Sequence, residues 1–258
     1  MAKLPIINDS TPIQKLYSPE GQQFGRGLDL SLKGTEGYAG VAAPFPASLL
    51  IPRSEWQARI QERKERKATL REKIQGAGVQ VKNQERTNYC WINAPTFCVE
   101  IVRLLQGQKH VVLSPASAGA QIKNYRNVGG WGKEGLEWII AHGVAPVDLW
   151  PANAIDRKYA TAETKAAALN YRIDEWWELE PRNIDQLVSC VLRNVPVAVG
   201  YNWWSHEVTM VDMDWIDGDI AGVIGNSWGD WGDQGYGILQ GSRLKPDDAV
   251  APRTALAA

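Results

Sequence analysis

The chain has 258 residues, of which 44% are hydrophobic and 22% are charged, and its formal net charge is −1. These values are ordinary for a globular protein, and the length suffices for one domain with a sizeable core plus an appendage. A net charge so close to zero gives no long-range attraction to nucleic acid or to an anionic membrane, so we expect neither as a partner.

The beginning of the chain and its cysteines bear on where the protein resides. Residues 1–5 lack the long apolar region of a secretory signal, and no stretch approaches the ~20 apolar residues of a membrane span. The three cysteines, at positions 90, 98 and 190, are odd in number and irregularly spaced, which does not suit a disulfide framework. We therefore expect a reducing, cytoplasmic compartment, or a virion if the source is viral.

Residues 1–79 are predicted to form an N-terminal extension. The first 52 residues are irregular, with recurring Pro, Gly and Ser and no lasting apolar period. A helix rich in Arg, Lys and Glu is predicted over 55–76, with Ser54 as its N-cap. The apolar positions of this helix are sparse, which suits a helix that lies on a surface.

Residues 80–258 predict one α+β domain in two lobes. Apolar residues recur at three- and four-residue spacing from Cys90 to Leu105, which indicates a core helix. Two more helices are predicted over 133–142 and 183–194. The pattern then changes to short β-branched and aromatic runs, which predict strands over 195–201, 206–215, 219–226 and 235–240. Helices first and strands later are typical of a helical lobe beside a β-rich lobe.

Cys90 is the candidate nucleophile. A thiol attacks only as its thiolate, and its pKa falls at a helix N-terminus, where backbone N–H groups lack helical partners. With Asn88 or Tyr89 opening the core helix, Cys90 lies in the first turn. Cys98 and Cys190 fall among apolar residues and are interpreted as packing, which is also the alternative for Cys90.

His206 is the candidate base among the three histidines. His110 follows a polar loop, and His142 lies at a helix end, where a partly charged ring suits the helix dipole. His206 opens a predicted strand. Asn226 follows the end of another apolar strand, where its amide oxygen would accept the imidazole N–H and fix the orientation of the ring.

Four segments resemble the papain-like cysteine peptidases. They are Val81-Lys82-Asn83-Gln84 followed by Cys90-Trp91, the run His206-Glu207-Val208-Thr209-Met210-Val211, the run from Gly225 to Gly237, and Gly129-Gly130 within Asn127-Val128-Gly129-Gly130-Trp131. The resemblance covers roughly residues 80–245. It implies the family's two-lobed fold, peptide-bond hydrolysis, and no need for a metal or an organic cofactor.

The resemblance also implies catalytic roles. Cys90 would attack as a thiolate paired with His206, and Asn226 would orient the imidazole. The side chain of Gln84 and the backbone N–H of Cys90 would form the oxyanion hole.

Further residues are assigned to the substrate side by the same resemblance. Trp228 would cover the hydrogen bond between the histidine and the asparagine. Gly129 and Gly130 would let a polypeptide substrate lie against the backbone as a short added strand.

Three of the departures from the family's pattern bear on activity or on assembly. Pro95 lies within the core helix, where it removes an N–H and predicts either a kinked first turn or a helix that begins after Cys90. Glu207 takes the place of a small residue and would crowd or charge the neighbouring wall. Residues 1–79 do not resemble the family's inhibitory pro-segment, so a docking belt, a clasp over the groove and an attachment to a larger assembly all stay open.

The function expected first is thiol-dependent hydrolysis of peptide bonds by a Cys-His-Asn site. A second hypothesis keeps the same scaffold as a structural or binding component of an assembly such as a virus particle, with contacts through residues 1–79. A third transfers the acyl group to an amine instead of water.

Overall fold

A computed structural model describes residues 4–12, 24–32 and 42–255. In chain order its helices and strands are β1 (Ile6–Ile7), β2 (Ala42–Pro44), α1 (Arg53–Glu65), α2 (Leu70–Gly76), α3 (Cys90–Leu105), α4 (Pro115–Ile122), α5 (Gly132–His142), α6 (Ala162–Ala168), β3 (Ile173–Glu178), α7 (Ile184–Leu192), β4 (Val197–Tyr201), β5 (His206–Ile216), β6 (Asp219–Gly225), β7 (Tyr236–Gln240) and β8 (Asp248–Ala255). None of the helices in these ranges is long and apolar enough to cross a membrane.

All strands belong to one sheet in the order β1-β7-β6-β5-β4-β8-β3-β2. The six inner strands of this order, from β7 through β6, β5, β4 and β8 to β3, pair antiparallel with one another. The two edge strands, β1 and β2, pair parallel. Both edges are therefore closed by short pieces of the first 52 residues, a stretch that was expected to be irregular.

The helical lobe is built around α3, on which every residue from Cys90 to Arg103 is buried. Helices α4 and α5 pack against α3 on one side, and the sheet packs against it on the other. The apolar core of this lobe includes Trp91, Val99, Leu136, Trp150 and Trp176. So complete a burial explains why the three- and four-residue apolar spacing was clear in the sequence.

The β-rich lobe has its own apolar core on the other face of the sheet. This core gathers side chains from α1, α7, the central strands and the turn between β4 and β5, among them Trp56, Leu187, Val199, Trp204 and Met210. A third cluster joins α2 to α3 and to β5–β7. The mixed, two-lobed α+β architecture predicted from the sequence is confirmed.

The single helix predicted over 55–76 is wrong, because the chain forms α1 and α2 with a break between them. Thr69 starts the second helix with a capping box: its Oγ1 accepts from Glu72 N at 3.2 Å, and its own N–H donates to the Glu72 carboxylate at 3.1 Å. Ser54 is inside α1 rather than its N-cap, which is Pro52.

Both helices bury more apolar surface than a surface helix would. Trp56 and Ile60 of α1 lie in the core of the β-rich lobe. Leu70 and Ile74 of α2 are fully buried in the third cluster. The boundary proposed after residue 79 stays a prediction, although much of the described part of 1–79 packs tightly on the remainder of the chain.

Candidate active site

Cys90 is the first residue of α3, and Tyr89 is its N-cap. Regular helical hydrogen bonding begins in the first turn, since Asn93 N donates to Tyr89 O at 2.9 Å. Pro95 lies inside the helix but does not delay its start, so of the two alternatives, the helix that begins after Cys90 is wrong. The thiol therefore lies at the positive end of the helix dipole.

His206 and Asn226 are brought together by the antiparallel pairing of β5 with β6. His206 is the first residue of β5, and Asn226 directly follows β6. His206 Nε2 and Asn226 Oδ1 are 2.8 Å apart. Because the amide oxygen can only accept, Nε2 carries the proton, and the lone pair of the neutral ring is on Nδ1. His206 Nδ1 is buried and has no hydrogen-bond partner among the described residues.

Two indoles enclose this hydrogen-bonded pair. The ring of Trp228 stacks on His206 with centroids 4.5 Å apart and an interplanar angle of 26°. Trp204 meets the imidazole edge-on at 5.0 Å and 70°. Both indoles are almost completely buried, and they shield the bond between His206 and Asn226 from water.

The Gln84 side chain is fixed by three hydrogen bonds. Its Nε2 donates to Gly25 O and to Thr87 O, each at 2.8 Å. Its Oε1 accepts from Ser227 Oγ at 2.5 Å. These contacts orient the amide nitrogen, which holds a carbonyl oxygen of the N-terminal region.

Residues 24–30 of that region form an extended segment that lies against Gly130 and Cys90 and is called the cleft segment below. Gly130 N donates to Gly27 O, and Asp29 N donates to Gly130 O, both at 2.8 Å, so Leu28 pairs parallel with Gly130. A Cβ on Gly129 would lie 2.6 Å from Gly27 O. The missing side chain at Gly129 is what allows the segment to approach so closely.

The cleft segment also touches the candidate nucleophile and its surroundings. Gly27 N donates to Cys90 Sγ at 3.1 Å. The carbonyl oxygen of Gly25 accepts from Trp228 Nε1 at 3.2 Å in addition to Gln84. Phe24 stacks on Trp228 with ring centroids 5.2 Å apart. This part of residues 1–79 therefore lies against Cys90, Gln84 and Trp228.

Two glycines make this fit possible. A Cβ on Gly25 would lie 1.8 Å from Thr87 O, and a Cβ on Gly27 would lie 1.9 Å from Asn88 O. Both obstacles are backbone atoms of the loop that precedes α3, which cannot move aside as a flexible side chain can. Only residues without a side chain are tolerated at these two positions of the segment.

Burial sets the protonation of the candidate pair. Burial, and secondly the charge of Glu207, raise the pKa of the Cys90 thiol to about 12, against the opposing effect of nearby backbone N–H groups. Burial lowers the pKa of His206 to about 3, although the hydrogen bond to Asn226 acts in the other direction. At neutral pH the thiol is therefore protonated and the imidazole is neutral.

Sequence reasoning missed several contributors to the site. Trp204 and Ser227 support His206 and Gln84, and nothing in their spacing distinguished them from packing residues. The cleft segment was hidden as well, because Gly25 and Gly27 occur in a stretch with no apolar period. The only available signal was that two glycines flank Arg26.

Solved structures of cysteine proteases share the fold of this chain. Digestive procathepsin L 3 of Tenebrio molitor larval midgut matches with a TM-score of 0.65 at 19% identity, covering 88% of this chain and 76% of that one. Xylellain, a cysteine protease from Xylella fastidiosa, matches with a TM-score of 0.60 at 18% identity, covering 90% and 96%.

A structure concerned with the mite allergens Blo t 1 and Der p 1 matches with a TM-score of 0.63 at 16% identity, covering 96% of this chain and 84% of that one. No family model matches the sequence, and no curated protein matches it. At these identities the likenesses establish the fold, which is papain-like.

Proposed function

We propose that this papain-like chain hydrolyses peptide bonds with Cys90 as nucleophile, His206 as base and Asn226 as the group that orients the ring. The observation that carries the proposal is the hydrogen bond from His206 Nε2 to Asn226 Oδ1. It leaves the basic nitrogen, Nδ1, without a partner in a buried site at the start of β5. A thiol at the start of α3 completes the set required for acyl transfer.

The reaction begins when the Cys90 proton passes to His206 Nδ1. The thiolate then attacks the carbonyl carbon of the scissile bond, and the imidazolium returns the proton to the leaving amine as the C–N bond breaks. Water, deprotonated by the same nitrogen, attacks the thioester and releases the carboxylic acid together with the thiol. Atoms and charge balance without a metal or an organic cofactor.

Gln84 is assigned to the stabilisation of the tetrahedral oxyanion. Its Nε2 already holds a carbonyl oxygen, that of Gly25, at 2.8 Å. The backbone N–H of Cys90, at the start of α3, would be the second donor. The loss of one such donor typically costs about 2.7–4 kcal/mol in the activation free energy.

The polypeptide substrate would take the place of the cleft segment. Gly130 exchanges two backbone hydrogen bonds with an extended chain around Leu28, which is the contact that the resemblance implied for a substrate. The closed form is then a latent state, since peptide cannot reach Cys90 until residues 24–30 leave. Trp228 would keep its position over the His206–Asn226 bond in both states.

The proposal is tested with a Gly25→Ala chain, in which the added methyl group clashes with Thr87 O and displaces the cleft segment. We expect this chain to hydrolyse a mixed peptide library and Cys90→Ala in the same background to abolish turnover. The matched control is Cys98→Ala, which removes a fully buried thiol of the same helix and should retain turnover. Turnover that survives Cys90→Ala would place the activity elsewhere.

One result would favour the scaffold hypothesis instead. If the Gly25→Ala chain neither cleaves peptides nor reacts with iodoacetamide at Cys90 faster than the unmodified chain, the fold serves a binding or structural role. Adding an amine to the assay separates hydrolysis from transfer of the acyl group, because transfer yields the amide of that amine.

A further inference from the structure

The indole of Trp91 connects the candidate nucleophile to Gly130. Trp91 follows Cys90 on α3 and is 0% exposed. A Cβ on Gly130 would lie 2.6 Å from Trp91 Cδ2 and 2.7 Å from Trp91 Cε2, so the backbone of Gly130 rests directly on the ring. The indole nitrogen donates to Val128 O at 3.4 Å. The place of this one ring therefore sets how far Gly130 lies from the start of α3.

An ion pair between two helices lies against both the indole and Gly130. Lys123 is the C-cap of α4, and Glu134 is in the first turn of α5. Lys123 Nζ donates to Glu134 Oε1 at 2.7 Å and to Glu134 Oε2 at 2.6 Å, and it lies 4.8 Å from the centroid of the Trp91 ring. Glu134 Oε2 is 2.9 Å from the Cβ position of Gly130. Lys123 thus contacts the ring, and Glu134 lies against the glycine.

The burial of this pair indicates a role other than stability. The side chains of Lys123 and Glu134 are 10% and 24% exposed, so both charges have lost most of their water. An ion pair removed from water in this way contributes little net stability, and apolar side chains of similar volume would fill the space as well. Charge-assisted hydrogen bonds and a cation over an indole each prefer a defined geometry. The pair therefore fixes the indole relative to α4 and α5.

We propose that Lys123 and Glu134 are positioning residues, which set the distance between Gly130 and the Cys90 thiol through the Trp91 ring. The inference rests on the proposed function, in which Gly130 binds the substrate backbone and Cys90 attacks the scissile carbonyl. Reacting atoms must approach to about 3–3.5 Å, and a displacement of about 1 Å typically costs about 100-fold in rate. The effect of the ion pair on the reaction passes through the ring and not through direct contact with the reacting atoms.

The first test compares two alkylating probes of Cys90 in a Gly25→Ala chain and needs no turnover. Both probes lose halide as the sulfur–carbon bond forms, but a mixture of tripeptidyl chloromethyl ketones must first bind along Gly130, whereas iodoacetamide need not. Lys123→Met removes the charge and keeps an apolar stem of similar length. It should slow the peptidyl probes about 10-fold and leave iodoacetamide labelling within about twofold. Lys123→Arg should restore the peptidyl rate, because a guanidinium also pairs with a carboxylate and lies over an indole.

Arg53→Met is the matched control. Arg53 Nε and Nη2 each donate to the Asp185 carboxylate at 2.7 Å, and the guanidinium lies 5.4 Å from the centroid of the Trp56 ring, so the same kind of contact is removed in the β-rich lobe. Both probes should react with this chain as with its parent. Equal slowing of both probes by Lys123→Met, no slowing of either, or a Lys123→Arg chain as slow as Lys123→Met would overturn the inference. If Lys123→Met does not fold, Glu134→Gln, which keeps the size of the side chain and weakens the pair, is judged by the same ratio of rates.

Turnover separates this inference from the proposed function. In the Gly25→Ala background, Lys123→Met should lower kcat/KM for a peptide about 10-fold and leave hydrolysis of p-nitrophenyl acetate unchanged, since an acetyl group has no residue that pairs with Gly130. An equal loss for both substrates would contradict positioning through Gly130. Absence of turnover of either substrate, with the ratio of probe rates still lowered, would count against the hydrolase alone and support the positioning of Gly130 relative to Cys90.

Discussion

The orientation of His206 depends on one hydrogen bond, because its second ring nitrogen has no partner among the described residues. In the Gly25→Ala background, Asn226→Ala should lower kcat about 10- to 100-fold, since the bond to a charged imidazolium is worth about 1.5–3 kcal/mol. The same bond raises the pKa of His206, so its loss should also shift the acidic limb of the pH–rate profile to lower pH. Steady-state kinetics across pH measure both effects.

Asn183→Ala is the matched control for this substitution. Asn183 caps α7, where its Oδ1 accepts from Gln186 N at 3.1 Å. Its replacement should lower the free energy of unfolding by about 1 kcal/mol and leave kcat and the pH profile unchanged. If Asn226→Ala behaves in the same way, Asn226 is structural and does not position the base.

At the scale of residues, the sequence indicated which residue types belong to the candidate site and in what order, but it did not indicate the contacts that they make. Cys90, His206 and Asn226 were chosen from their places at element boundaries together with the resemblance of the segments around them to the papain-like peptidases. The side-chain N–H groups of Gln84 were expected to be available for an oxyanion. In the structure they donate to Gly25 O and Thr87 O instead. No local pattern encodes a contact between residues about 60 positions apart.

The cleft segment is the element whose removal should change reactivity most. Gly25→Ala places a methyl group 1.8 Å from Thr87 O, which the loop before α3 cannot accommodate. Cys90 should then be labelled by iodoacetamide at least 10-fold faster than in the unmodified chain, because a buried thiol must await opening of the cleft. Labelling at each cysteine is quantified by mass spectrometry.

Gly76→Ala is the control, because nothing lies within 4 Å of a Cβ on this residue at the end of α2. It should leave Cys90 labelling unchanged. Equal labelling of the Gly25→Ala chain and the control would mean that the segment does not limit access to the thiol.

Element boundaries show what local chemistry can and cannot reveal. Helix α3 was predicted over its observed range because it is buried on every side. The break between α1 and α2 was overlooked, although Thr69-Leu70-Arg71-Glu72 carries the threonine and glutamate of a capping box. Strands β3 and β8 were missed as well, because they pair with each other although they lie far apart in the sequence.

For the whole molecule, the closed form should be stable only within a window of pH. Burial depresses the pKa of His206 from 6.5 to about 3, with a small further contribution from Arg26 of the cleft segment. The corresponding stability is present above pH 6.5 and is lost as the pH falls towards 3. The pKa of Cys90 is raised from 9.0 to about 12, so its contribution is lost as the pH rises above about 9.

Hydrogen exchange measures this window directly. The amides of Gly27 and Gly130 bond Cys90 Sγ and Gly27 O, so their protection reports closure. We expect protection, corrected for intrinsic exchange, to be highest near pH 7–8 and to fall at pH 4.5, while amides in the centre of α3 stay protected. Constant protection of both glycines between pH 7 and pH 4.5 would contradict the assignment of His206 as the titrating group.

The two-lobed architecture was predictable because helices and strands segregate along the sequence. The placement of the first 52 residues was not, since β1 and β2 have two and three residues and pair at opposite edges of the sheet. Strands of two or three residues are too short to show the alternation of apolar and polar residues that identifies a strand in a sequence. Their position depends on the edges that the rest of the fold leaves open.

Because β1 and β2 anchor the chain on both sides of residues 24–30, the cleft segment is tethered at each end. A peptide arriving from solution must compete with an occupant whose effective concentration is set by two covalent connections and reaches the millimolar range for short tethers. A single chain break on one side would leave only one covalent connection and so lower that effective concentration. Such a chain should lose the competition with an added peptide at a lower peptide concentration than the intact chain does.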